Sequence, residues 1–279
     1  MPFHPIALPP IPEDTARAAR YLFGKGNIYI RLGEHLNELL EEFVPTDMEI
    51  RGKRSREAET RYAMMTAFQF AEELTDYQMV EAVRNRVDLK YALHLPINYP
   101  SFDPQALCEF HQRLYVDPSS RLTYQVLIGR LTEFDLLKSM QEQTLLALQV
   151  LETVCTSTRI ERLVEAMYQV LETLTITNAG WLRQVALPHW YERYSRRRRI
   201  SFWPNGKGEW KTMTLEIGAD IQYLLGEIER SHQPAIASLR EVQLLKQMWE
   251  EQFEVSTDEA SPARTVRWRP TGCASCIRG

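Results

Sequence analysis

The sequence predicts a mainly α protein, and three observations carry that prediction. Apolar residues recur at three- and four-residue intervals along most of the chain, the spacing of one helix face. No stretch sustains the apolar–polar alternation of a half-buried strand. Proline, glycine, threonine and aspartate stand where such helices would start or stop.

In chain order, the proline-rich residues 1–12 read as an extended arm. "PEDTARAARYLF" is a short helix with Glu13 and Asp14 in its first turn, where the dipole favours acids. A glycine turn opens "GKGNIYIRLGEHLNELLEEF", whose Ile30, Leu32, Leu36, Leu39, Leu40 and Phe43 share one side. The charged stretch "VPTDMEIRGKRSREAETR" reads as a loop. Its basic segment, Arg51 to Arg56, is either a solvated linker or a phosphate-contacting loop. "RYAMMTAFQFAEEL" is apolar nearly all round, the mark of a buried helix.

Four short helices are expected in tandem: Tyr62–Glu73, Asp76–Val87, Leu89–Leu95 and Asp103–Tyr115. Thr75 or Asp76 can cap the second and Asp88 the third. Asp103 followed by Pro104 can open the fourth. Together they read as a cluster of helix-turn-helix type with Tyr62, Met65, Phe68, Val83, Tyr91, Leu107, Phe110 and Leu114 in its core. Met79, Val80 and Val83 should point inward, which leaves Arg84 at the rim and sends Arg86 and Lys90 to solvent. The fourth helix carries Glu109, His111, Gln112 and Arg113 on its polar side, where such groups can meet base edges or phosphates. Beyond Pro118 come longer helical patterns: Arg121–Val154, Arg159–Thr177, the aromatic and basic "PHWYERYSRRRR", Thr214–Ser231 and Ile236–Val255. From Ser256 the periodicity is lost, and a disordered tail is expected. The division that follows is 1–138, 139–255 and 256–279.

Composition narrows the function. The chain has 279 residues, 44% of them hydrophobic and 25% charged, with a formal net charge of -4. That balance excludes a generally basic surface but leaves room for a local basic patch. No segment approaches the ~18 apolar residues of a membrane span, and the N-terminus lacks a signal-peptide pattern. Four cysteines fit a reducing compartment, so a cytoplasmic location is expected, with Cys108 and Cys155 as buried thiols. There is no P-loop, dinucleotide fingerprint or nucleophile elbow. His111 and His189 read as surface or capping residues. Cys273 to Cys276 is a lone CxxC without a second ligand pair, so no metal and no cofactor is expected.

Beyond pattern, several blocks resemble one family. "IPEDTARAARYLFGKGNIYIRLGEHLNELL" (Ile11–Leu40), "LTDYQMVEAVRNRVDLKYALHLPI" (Leu74–Ile97) and "FDPQALCEFHQRL" (Phe102–Leu114) are similar to the helical N-terminal domain of bacterial insertion-sequence transposases of the DDE class. "GWLRQVALPHWYERYSRR" and "EIGADIQYLLGEIE" resemble blocks of a helical region in that family's catalytic part. The resemblance runs over roughly residues 9 to 270. It implies binding of double-stranded DNA at terminal inverted repeats. The DNA-contact candidates are Arg84, Arg86, Lys90, His111, Gln112 and Arg113, with Arg196, Arg197, Arg198 and Arg199 as a second patch or a solvated helix end.

The departures matter equally. In the family, a strand bearing the first metal-binding aspartate precedes the segment that aligns with "TSTRIERLVEAM". Here "TLLALQV" (Thr144–Val150) takes its place, with Leu146 for the aspartate and Gln149 for a histidine. A two-metal centre needs bridging carboxylates, which leucine cannot supply, and Thr144–Val150 has helical rather than strand spacing. The second aspartate and the glutamate would lie beyond "RTVRWRPTG". No catalytic residue is therefore expected, and the chain reads as a truncated copy whose second part is a helical remnant of an RNase H-like core. The rival readings are an interaction protein that forms mixed oligomers with intact transposase, an enzyme with displaced catalytic residues, and a decaying reading frame.

Overall fold

The computed structural model describes residues 2–24, 26–43, 53–133, 147–194, 207–256 and 265–268. Among these, thirteen α-helices and two short strands form, so the chain is mainly α. It divides into two compact units, the first ending at Thr156 and the second running from Ser157 to Thr271. The boundary expected after residue 138 falls elsewhere, inside the first unit.

The first unit is built from α1 (Glu13–Leu22), α2 (Ile28–Leu40), a 3₁₀ turn (Glu41–Phe43), α3 (Lys53–Glu72), α4 (Asp76–Asn85), α5 (Val87–Ala92), α6 (Pro104–Val116), α7 (Pro118–Glu133) and the start of α8 (Ala147–Thr177). Local chemistry sets the boundaries. Asn27 caps α2 by accepting from the amides of Tyr29 and Ile30. Thr75 and Gln78 form a reciprocal capping box at α4. Asp103 caps α6, with Pro104 at its first turn. Two expectations need correction. The basic segment before Glu57 is not all loop, because α3 begins at Lys53. Asp88 does not cap α5; the cap is Arg86, without a side-chain bond, and Asp88 lies inside the first turn.

One apolar cluster fills this unit. Leu32, Leu36 and Leu40 of α2 meet Met65 and Phe68 of α3, Met79 and Val83 of α4, Leu107, Phe110 and Leu114 of α6, and Tyr124 and Leu127 of α7. The core expectation holds for Met65, Phe68, Val83, Leu107, Phe110 and Leu114. Tyr62 is partly buried against them, and Tyr91 is buried in a smaller cluster with Ala16, Ala19 and Ile30. Cys108 is buried beside Cys155 and Tyr115. Cys155 is also buried, but it is disulfide-bonded rather than the free thiol its apolar context predicts.

The second unit comprises the rest of α8 with α9 (Ala179–Val185), α10 (Pro188–Arg193), α11 (Lys207–Arg230), α12 (Pro234–Ala237), α13 (Arg240–Gln252) and an antiparallel pair, β1 (Phe253–Ser256) and β2 (Thr265–Trp268). The sequence pattern divides α8 near Thr156, yet the helix is continuous. Its threonines do not break it, because hydroxyls bond back to the preceding turn, as Thr153 does to the Gln149 carbonyl. Ala147–Val150 lie in this helix, in keeping with their helical spacing. The tail expected from residue 256 is not uniformly loose. Thr265–Trp268 pairs with β1, Trp268 stands edge-on to Phe253 at 5.1 Å, and Arg159 lies over the Trp268 ring at 4.2 Å. Strands of four residues are too short for alternation to register in the sequence.

Two glycines are dictated by close approach. A Cβ on Gly33 would lie 2.7 Å from the Tyr91 ring and 2.9 Å from the Tyr91 carbonyl oxygen. On Gly218 it would lie 2.5 Å from the Phe253 ring. The Gly33 contact includes backbone, which cannot rotate away, so Gly33→Ala must push α2 off α5. Overpacking of this kind costs about 1–3 kcal/mol. Urea unfolding of the variant should show that loss, and an unchanged midpoint would mean that the α2–α5 packing is looser than described.

Candidate nucleic-acid interface

The stretch Leu74–Pro96 forms α4, α5 and the turn after them, and its cations do not behave alike. Met79, Val80 and Val83 point inward as their spacing predicts. Arg84 follows at the rim with its side chain 59% exposed. It donates from Nε to the Pro100 carbonyl at 3.1 Å and pairs with Glu81 at 3.3 Å.

Lys90 does not reach solvent as expected, and Arg86 does so only in part, its side chain 35% exposed and paired. Arg86 donates to Glu72 at 2.5 Å and to Asp88 at 2.9 Å, and its guanidinium lies 5.2 Å from the centre of the Tyr29 ring. Glu72 also accepts from the Tyr29 hydroxyl, and Asp88 from Asn27 at 3.4 Å. Burial works against the charge on Arg86, but the two carboxylates outweigh it and hold its pKa above the ordinary value. Lys90 is buried and donates from Nζ to the Ile97 carbonyl at 2.5 Å, and burial lowers its pKa. His94, in a left-handed conformation with φ 52°, sets its two ring nitrogens 2.6 Å from the Pro9 carbonyl and 2.9 Å from the Gly33 carbonyl. Three of the four basic residues in this stretch, Arg86, Lys90 and His94, thus bond to neighbouring segments of the fold. The physical reason is that α5 and its exit turn are inside, where each charge and carbonyl needs a partner.

Helix α6 differs from expectation in the same way. His111 and Gln112 are not on its polar side but buried, and His111 is not a surface residue. The solvent side of α6 carries Gln105 and Glu109, and a carboxylate there opposes entry into a groove lined by phosphates. Arg113 is partly exposed, pairs with Glu59 at 2.8 Å and lies 5.5 Å from the Phe110 ring centre. Arg196, Arg197, Arg198 and Arg199 lie outside the described residues, as does Leu146. Gln149 is exposed on α8.

His111 belongs to a buried polar group. Thr66 donates to the Tyr62 carbonyl at 2.7 Å, and its hydroxyl oxygen lies 2.9 Å from His111 Nε2. His111 Nδ1 then faces Asp76 at 3.6 Å, and Asp76 accepts from Gln69 at 2.8 Å. The order threonine, histidine, aspartate is that of a nucleophilic triad. All three are sealed from solvent, so the arrangement joins α3, α4 and α6 and has no access to a substrate.

No family model matches the chain, and no curated protein or solved structure does so either. Among the described residues, no group of three or more His, Cys, Asp or Glu is placed to hold a metal ion. None of the described helices is long and apolar enough to cross a membrane.

The second unit holds a comparable cluster. Asp220 of α11 is buried and accepts from His189 at 2.9 Å, from the Tyr194 hydroxyl at 2.8 Å and from Arg193. Arg193 also reaches Glu216 at 2.7 Å. His189, expected at the surface, is half exposed with one ring nitrogen fixed by Asp220. Asp76, Asp88 and Asp220 were missed as organising groups. The one legible signal was the i, i+2 spacing of Arg86 and Asp88.

Burial holds the His111 pKa below its ordinary 6.5, against a smaller opposing pull from Asp76. The unfolded chain therefore takes up a proton that the folded ring resists. The stability contribution is complete above the ordinary value and falls as pH drops through it. Asp88, whose pairing with Arg86 overcomes burial and keeps its carboxyl below 3.8, acts only in a more acidic range. Between about pH 7 and 5, the wild type should lose stability faster than a His111→Gln variant. Parallel unfolding curves for the two across that interval would contradict the assignment.

Proposed function

We propose that the chain is a transposase-derived protein that binds double-stranded DNA, the terminal inverted repeats of its parent element or related duplexes, without strand-transfer activity. One observation carries the reading. The two blocks that most resemble the transposase DNA-binding domain, Leu74–Ile97 and Phe102–Leu114, fall on consecutive helices of one packed unit, α4 to α6. Arg84 is the exposed cation of those blocks, and Arg113 offers a second, partly exposed one. Lys90, His111 and Gln112 are buried and leave the contact set; Arg86 is partly exposed like Arg113, but two carboxylates, Glu72 and Asp88, already hold it. The absence of catalysis rests on Leu146 and on the helical start of α8, where the family places a metal-binding strand.

A second reading has its own support. Leu122 and Val126, one turn apart on α7, are 68% and 47% exposed, and Val116 at the end of α6 is 75% exposed. Such a stripe suits a protein partner, as in the mixed-oligomer reading.

In gel-shift titrations at low salt, the protein should bind duplex DNA. Arg84→Ala should weaken all duplexes alike and lower the salt slope by about one unit. No Mg²⁺-dependent cleavage of element ends is expected. A nick abolished by a single Asp or Glu substitution would overturn the non-catalytic reading. Failure to bind any duplex would leave the interaction reading in its place.

A further inference from the structure

The outward end of α1 differs from the cationic stretch described above, because its basic groups are not consumed by carboxylates. Thr15, Ala16 and Ala19 face inward, and Ala16 and Ala19 pack with Ile30 and Tyr91. The Thr15 hydroxyl donates to the Leu95 carbonyl at 2.8 Å, which fixes the helix in place. The opposite side presents Arg17 and Arg20, both exposed, and Tyr21, whose side chain is almost free of contacts at 90% exposure. Residues three and four apart are neighbours on a helix surface, so Arg17, Arg20 and Tyr21 form one patch. No salt bridge involves Arg17 or Arg20 among the described residues. Arg20 and Glu34 both interact with the Tyr91 hydroxyl, and a guanidinium has further donors to offer. The acids of the helix, Glu13 and Asp14, stand in its first turn, one turn from Arg17 without a salt bridge to it, and on the order of 10 Å along the axis from Arg20 and Tyr21 at 1.5 Å per residue.

We propose that this patch, Arg17, Arg20 and Tyr21, is a contact surface for the sugar–phosphate backbone of duplex DNA. The inference rests on the DNA-binding reading above and moves its main anchor from α4–α6 to α1. The partner follows from charge and shape. Two guanidiniums and a phenolic hydroxyl on one rigid, solvent-facing helix turn are donors suited to phosphate oxygens. The buried inner face already orders their backbone, so binding costs only side-chain freedom. Tyr21 would donate its hydroxyl to a phosphate, and none of the three is placed to read bases.

The test is fluorescence anisotropy of the full chain with a labelled random-sequence duplex over a range of salt. Arg17→Ala/Arg20→Ala should bind about tenfold more weakly at low salt, with the salt slope reduced by about two. Arg17→Lys/Arg20→Lys should keep most of the affinity, since charge is retained while the Arg20–Tyr91 contact is changed. Tyr21→Phe should show a smaller loss, with an unchanged salt slope. If the wild type binds and the double alanine variant binds equally well with the same slope, the α1 assignment falls while the DNA reading stands. Loss of binding in the lysine variant would overturn it too, because the residues would then act through the fold. If the wild type binds no duplex, the underlying DNA reading fails as well.

Discussion

Helix α5 is six residues long, and everything around it depends on pairing the polar groups it carries inward. At its start, Arg86 draws Glu72 from α3, Asp88 from α5 itself and, through Tyr29 and Asn27, the beginning of α2. At its exit, three carbonyls are met by side chains. Arg61 of α3 donates to Leu93 at 3.0 Å, Thr15 of α1 to Leu95, and Lys90 to Ile97, while His94 reaches back to Gly33. Buried carbonyls without partners each cost about 1–3 kcal/mol. A helix this short has no internal means of satisfying its ends, so neighbouring elements supply the partners. The cations that look like a nucleic-acid face in the sequence are the pieces that make this possible.

A similar logic organises the second unit around one carboxylate. Asp220 accepts from three side chains that begin or end α10, a helix with no side-chain cap of its own. Burying a carboxylate is costly unless it is paired and hydrogen-bonded, and here His189, Arg193 and Tyr194 do both. The Tyr194 hydroxyl is correspondingly harder to ionise, through burial and the adjacent Asp220 charge. In each unit a buried, paired acidic side chain fixes a short helix that propensity alone would leave marginal.

The helices were legible because their apolar periodicity and caps are local properties. Thr75 with Gln78, and Asp103 with Pro104, announce α4 and α6 within a few residues. The core was legible for the same reason. The direction of the polar residues was not. Arg86 stands past the end of α4 at Asn85, and a helix carried on to Val87 turns it outward. The chain breaks at Arg86 and α5 starts afresh, so Lys90 falls inside and Arg86 is drawn, partly exposed, onto Glu72 and Asp88. His111 is hidden for a different reason: it packs on the polar groups Thr66 and Asp76, a match between distant segments that no local pattern reveals. The pairing of β1 with β2 was hidden by brevity. The exposed turn at Arg17, Arg20 and Tyr21 is visible only once the inner face of α1 is known.

The central claim is that Arg86 and Lys90, at the start of α5 and within it, serve the fold, and a double-mutant cycle on Arg86 and Asp88 tests it most directly. Arg86→Gln, Asp88→Asn and the pair together would be unfolded in urea with the m-value held in common. Side chains that form a paired, partly buried group couple by about 1 kcal/mol or more, whereas exposed ion pairs give less. A coupling energy of that size is the predicted result. Additive effects, with each single variant close to wild type, would contradict it and return Arg86 to the set of solvent-facing groups available to a partner.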